Sequence, residues 1–162
     1  MPSHCESNGS LKSESLMRVL LLVEAIQLHV QNILLEKLPE FFDLGFHDRT
    51  SGTSSLRLDE DIARLILNQF RWLDFLVDSQ AFTEKLLQVL SICPLHLKKE
   101  IIGSLPEVIG VQHNKVVVDS LLQMLHEDSS IIVPVLDTFS NINLDDLLQD
   151  QVVFFFLYAQ EN

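Results

Sequence analysis

The sequence predicts an all-α chain, a segment of a HEAT/armadillo-like helical-repeat α-solenoid. Three observations carry this. Apolar residues recur at three- and four-residue steps through most of the chain, the spacing of one helical face. No run sustains strand alternation; Val116, Val117 and Val118 are β-branched but sit inside a helical period. The periodic stretches are roughly 10–18 residues long and joined by short turns, as in stacked helical repeats. An irregular helical bundle would show the same period. One weak internal echo favours the solenoid: Leu38-Pro39-Glu40 recurs as Leu105-Pro106-Glu107.

Three regions follow. Residues 1–15 are Ser-rich and polar and read as a disordered lead-in. Residues 16–148 carry the helical period. Residues 149–162 read as a divergent apolar tail, whose run Val152 to Ala159 marks an association-prone segment.

The first helix is expected from Leu16, with Leu20, Val23, Ile26 (with Gln27), Val30, Ile33 (with Leu34) and Leu38 on one face. Pro39 disfavours helical geometry at Leu38, so the helix should end or turn there. Two Gly, three Ser and two Thr make 45–55 a loop. Asp59, Glu60 and Asp61 then supply a negative helix start, favoured by the helix dipole. That helix should bury Ile62, Leu65, Ile66, Phe70, Leu73, Leu76 and Val77. Asp78 or Ser79 caps the next, with Phe82, Leu86, Val89 and Leu90 inward. Pro94 closes it and opens another that runs to Gly103, a C-cap; Pro106 starts a turn. Asn114 caps a helix bearing Val117, Val118, Leu121, Leu122 and Leu125. Ser129 or Ser130 caps one bearing Ile132, Val135, Leu136 and Phe139. Asp145 and Asp146 open a last one with Leu147 and Leu148.

The chain has 162 residues and a formal net charge of −12. That balance excludes a free-standing nucleic-acid binder, which needs a cationic surface to displace counterions from phosphates. Neither the stretch Leu16 to Leu28 nor Val152 to Ala159 approaches the roughly 20 apolar residues of a membrane span. No basic and apolar leader is visible, so an intracellular location is expected. Cys5 and Cys93 form neither a disulfide framework nor a zinc site, and Cys93 reads as an inert buried thiol.

No catalytic constellation is apparent. The six His are scattered, and no phosphate-binding glycine loop or serine elbow occurs. The acidic pairs are explained by helix starts. No enzyme activity, cofactor, metal or small-molecule substrate is therefore expected. One surface stands out. Arg64 and Arg71 fall seven apart and share a helical face with Asn68 and Phe75. A solvated face with Glu60 and Asp74 as ion partners accounts for the arginines. Phe75 among them marks a candidate protein interface, since aromatics and Arg are enriched there. Trp72 lies at the edge of that face, as a core anchor or half exposed.

Four segments resemble the Fanconi anaemia complementation group D2 protein family: LLEKLPEFF (34–42), ARLILNQFRWLDFLVD (63–78), LLQVLSICPLHLKKEIIGSLPEVIG (86–110) and SSIIVPVLDTFSNINLDDLL (129–148). They occur in the family's order and at compatible spacing, and the resemblance spans about Leu16 to Leu148, most of this chain. The resemblance implies a non-enzymatic scaffold, part of a large nuclear α-solenoid protein of DNA interstrand crosslink repair. It also implies roles in homologous recombination and replication-fork protection. The implied partner is a group I Fanconi anaemia homologue, in a monoubiquitinated heterodimer that clamps DNA. None of the lysines in this sequence matches the family's modified site, so DNA engagement is expected only through the larger assembly. A generic armadillo-like interaction adaptor without a repair role remains the alternative reading.

Overall fold

Helix formation follows the apolar period, but the limits of each helix are set by capping groups and tertiary contacts more than by proline. The computed structural model describes residues 16–43 and 55–158. The expected lead-in at 1–15 and the loop residues 45–54 lie outside the described residues. The eight helices described are α1 (Leu16–Leu21), α2 (Glu24–Asp43), α3 (Ser55–Arg71), α4 (Ser79–Ile92), α5 (Leu95–Val108), α6 (Asn114–Glu127), α7 (Ile132–Asn141) and α8 (Asp146–Tyr158). Single 3₁₀ turns at 111–113 and 129–131 precede α6 and α7. No strand occurs among the described residues.

Several expected boundaries are corrected. The first helix is broken after Leu21 and then continues as α2 through Pro39 to Asp43. A proline in a helix costs about 3 kcal/mol. Here Leu34, Leu35 and Leu38, all buried, hold the helix on its neighbours across that defect. α3 begins at Ser55, so Asp59, Glu60 and Asp61 fall after its first residues rather than opening it. It stops at Arg71, which leaves Leu73, Leu76 and Val77 in the connection to α4. α5 runs through both Gly103 and Pro106 to Val108, because Leu97, Ile101, Ile102, Leu105 and Val108 form an unbroken buried stripe. Proline has no N–H for the carbonyl four residues back. The Ile102 carbonyl instead accepts from the buried Thr138 hydroxyl on α7, at 2.9 Å.

Caps explain most of the remaining limits. The Asp78 carboxylate accepts from the Ala81 N–H at 2.9 Å and starts α4. Asp145 does the same for Leu148 N–H at the start of α8. Asp128, not Ser129 or Ser130, caps the turn before α7 by accepting from Ser130 N–H. Asn114 is not a cap either. It is buried, and its side-chain amide donates to the Asn143 carbonyl at 2.7 Å, tying α6 to the α7–α8 connection.

The helices stack in two layers. α2, α4, α6 and α8 pack in sequence in one layer, α3, α5 and α7 in the other. The layers are joined by the pairs α2 with α3, α4 with α5 and α6 with α7. This alternation is that of an α-solenoid. The register is regular in the second layer. Arg64 meets Glu100, Arg71 meets Glu107 and Thr138 meets Ile102, each pair 36 residues apart (100 − 64, 107 − 71, 138 − 102). The Leu-Pro-Glu echo does not mark this repeat: α2 and α5 lie in different layers.

One continuous core runs between the layers, with Phe82, Leu86, Leu90, Leu97, Leu105 and Leu121 at its centre. Phe70 and Phe82 meet edge-to-face at 5.1 Å, joining α3 to α4. Several expected inward residues point out: Leu65, Ile132, Leu136 and Leu147 are exposed. On α2 the inward stripe includes two glutamines in place of Ile26 and Ile33.

Those glutamines have opposite standing. Gln27 is fully buried and fully used. Its Nε2 donates to the Leu21 and Phe75 carbonyls at 2.9 and 3.1 Å, and its Oε1 accepts from Val77 N–H at 2.7 Å. Gln31 is also fully buried, yet neither of its side-chain polar atoms has a partner among the described residues. Leaving a buried polar group unpaired costs about 1–3 kcal/mol. Gln31→Met is therefore expected to raise unfolding stability by about 1–2 kcal/mol, and Gln27→Met to lower it by about 2–3 kcal/mol. Urea unfolding of the two variants checks this; shifts of the same sign would contradict it.

Candidate protein-interaction site

The site is built on the short connection between α3 and α4. Because α3 ends at Arg71, the next seven residues leave the helix and carry Trp72, Phe75 and Val77. Trp72 is 64 % exposed, Phe75 39 % and Val77 51 %. Trp72 is therefore not a core anchor. The segment is held in place from behind. Gln27 binds both the Phe75 carbonyl and the Val77 N–H, and Asp78 turns the chain into α4. Beside the connection lies a depression of about 350 Å³, lined by Phe70, Leu73, Phe75, Leu76, Val108 and Ile109 among others. Its rim is closed by a polar contact from Ser79 on α4 to His113, 2.9 Å away. The wall of the depression also carries Asp74, Glu107 and Gln112, so it is mixed in polarity. A large exposed aromatic on a pinned backbone is a form that interface anchors take.

Phe75 does not share the helical face of the two arginines, since it lies beyond the end of α3. The arginines themselves cross to α5. Arg64 Nη2 is 3.0 Å from Glu100 Oε1, and Arg71 Nε is 2.9 Å from Glu107 Oε2. Arg71 Nη1 also donates to Asn68 Oδ1 at 3.2 Å. Asp74 is not the partner of Arg71. Both pairs are solvent-accessible, so each contributes at most about 1 kcal/mol. Glu107 lies beside Phe75 in the wall of the depression, which places the Arg71–Glu107 pair at its polar edge. The sequence carried Phe75 as a signal. The helical period placed Gln27 beside Ile26 on the apolar face, but gave no signal for its role, which depends on a contact 50 residues away.

Similar polar contacts join the other layer. Lys85 donates to Glu36 at 2.8 Å, and that hydrogen bond, with the attached charge, holds the Glu36 carboxyl below its ordinary value. Gln151 on α8 donates to Asp119 on α6 at 2.7 Å and is the main cause of a lowered Asp119 pKa, with Lys115 adding to it. A lowered carboxylate pKa contributes stability above its ordinary value, 3.8 for Asp119, that is lost as pH falls through the folded value. Gln151→Ala is expected to cost about 0.5–1 kcal/mol at neutral pH, the small value reflecting solvent exposure. The difference from the parent chain should shrink below about pH 3. Unfolding curves at both pH values check it; a pH-independent difference would contradict it. Cys93 is buried, and burial pushes its thiol up to about 11, which leaves it a poor nucleophile.

Among the described residues, no three His, Cys, Asp or Glu side chains are grouped to hold a metal ion. No helix among them is long and apolar enough to cross a membrane. What the described surface offers is an anchored aromatic patch on a rigid stack of helices. The class this defines is an all-α segment of stacked helices, with that patch as a candidate protein-interaction surface.

Comparison with known proteins gives the family. The family described as "Fanconi anaemia protein FancD2 nuclease" matches residues 2–156. The Fanconi anemia group D2 protein of Gallus gallus is 40 % identical over 141 residues, 86 % of this chain. The group D2 protein homologs of Mus musculus and Rattus norvegicus are each 35 % identical over 139 residues, again 86 % of this chain. The chain belongs to the Fanconi anaemia FancD2 family. It spans 9 % of the length of these curated relatives.

Proposed function

We propose that this chain is a non-enzymatic scaffold segment of nuclear DNA interstrand crosslink repair. It acts by protein–protein packing with a group I Fanconi anaemia homologue. One observation carries the reading: the family match over residues 2–156 coincides with a helical stack whose exposed aromatics sit on a buried support. The word nuclease in the family description does not alter this. Hydrolysis of a phosphodiester by metal ions needs clustered carboxylates. Asp78 and Asp145 serve helix caps, and Glu36, Glu100 and Glu107 serve interhelical pairs.

DNA engagement belongs to the larger assembly. The chain carries −12, and a direct phosphate contact would work against that field. In this reading the monoubiquitinated clamp, with its roles in homologous recombination and fork protection, depends on surfaces and a lysine outside this segment. Disruption of the gene in its source organism tests the proposal. Hypersensitivity to a DNA crosslinking agent, restored by the intact gene, is expected. Unchanged survival would overturn the repair role and leave the generic interaction adaptor.

A further inference from the structure

A second surface lies on the opposite layer, away from the aromatic connection. The facing sides of α4 and α6 enclose an open groove of about 490 Å³. Buried Leu87 and half-buried Met124 supply an apolar floor. Gln88, Ser120 and Gln123 line its walls. Glu84 and Glu127 complete the lining.

The two carboxylates sit at opposite ends. Ser79, the first residue of α4, contacts Gln112 and His113 just before α6, so the two helices start level. Glu84 is five residues into that register and therefore level with about residue 118. Glu127 is nine residues further along, or about 14 Å at the helical rise. Neither has a cationic partner among the described residues. Glu84 accepts only from the Gln80 amide at 2.9 Å, and Glu127 only from the Gln123 amide at 3.5 Å. This contrasts with Glu36, Glu100 and Glu107, which are each matched by a cation on the neighbouring helix.

We propose that the α4–α6 groove docks a basic, extended segment of a protein partner. Two cationic side chains would meet Glu84 and Glu127. The Gln88 amide and the Ser120 hydroxyl line the stretch between them, where they can meet the docked backbone. An extended chain rises about 3.3 Å per residue, so the matching cations stand about four residues apart. The occupant follows from charge complementarity: an acidic chain with two unmatched carboxylates flanking an apolar floor selects a cationic ligand. This surface is independent of the Trp72–Phe75 patch.

The test uses the full chain and fluorescein-labelled ten-residue Gly/Ser/Leu peptides, read by fluorescence anisotropy. One peptide carries two Arg four residues apart, a second carries them adjacent, and a third carries Glu in their place. The spaced-Arg peptide should bind saturably and at least about 5-fold more tightly than the adjacent one, with the Glu peptide silent. Glu84→Gln with Glu127→Gln should weaken it by about 10-fold or more. Asp137→Asn with Asp150→Asn removes the same charge away from the groove and should change binding by less than about 2-fold. Equal losses in the two double variants would reduce the effect to delocalised charge and overturn the proposal. So would equal affinity for the two Arg peptides, or no saturable binding by either.

Discussion

Phe82→Ala should destabilise the chain by about 3–5 kcal/mol, the usual loss for a fully buried phenylalanine. Phe82 is 0 % exposed and meets Phe70 edge-to-face at 5.1 Å. The truncation removes the transfer energy of the ring, leaves a cavity at the α3–α4 contact and deletes the aromatic pair, itself worth about 0.5–1.5 kcal/mol. A domain of this size has only about 5–15 kcal/mol in total, so a large share of the folded population is at stake. The same change at Leu147, 80 % exposed on α8, should stay within about 0.5 kcal/mol. Urea unfolding followed by circular dichroism compares the two. A loss below about 1 kcal/mol at Phe82 would contradict the placement of the core.

Trp72→Ala combined with Phe75→Ala should leave stability nearly unchanged and weaken binding to the group I homologue by about 2–4 kcal/mol, or roughly 30- to 1000-fold. Both side chains are exposed on a connection that Gln27 fixes from beneath. Their truncation empties no core, while the bound state loses its aromatic anchors. Arg64→Ala should cost far less, because its guanidinium is engaged with Glu100 within the stack. A double variant that unfolds would show that the aromatics are structural. One that binds like the parent chain would remove them from the interface.

The all-α class and most helix starts were legible because they depend on local chemistry. Asp78 and Asp145 cap as any N-terminal aspartate does, and the apolar period of 82–90 and 117–125 is read directly. What failed was every boundary decided by a distant partner. Gly103 and Pro106 carry the local chemistry of a helix end, yet α5 passes through both, with the Ile102 carbonyl satisfied by Thr138 from the next repeat. The same blindness applies to the site. Phe75 was visible as an odd aromatic near arginines. The arginines' ion pairs with Glu100 and Glu107 reach to α5, 36 residues on, and no local spacing points to them. Gln27 falls on the apolar face of its helix as a polar residue without an evident partner until the α3–α4 connection is folded onto it. The solenoid itself was supported by a Leu-Pro-Glu echo that joins helices of different layers; the 36-residue offset shared by three contacts within the α3, α5, α7 layer is the sounder mark of a repeat.

The central claim is that this helical stack binds a group I Fanconi anaemia homologue through its own surface. Isothermal titration of the 162-residue chain with the purified group I homologue from the same organism measures it directly. The account predicts saturable one-to-one binding. No detectable heat, confirmed by separate elution of the two proteins on size-exclusion chromatography, would contradict it.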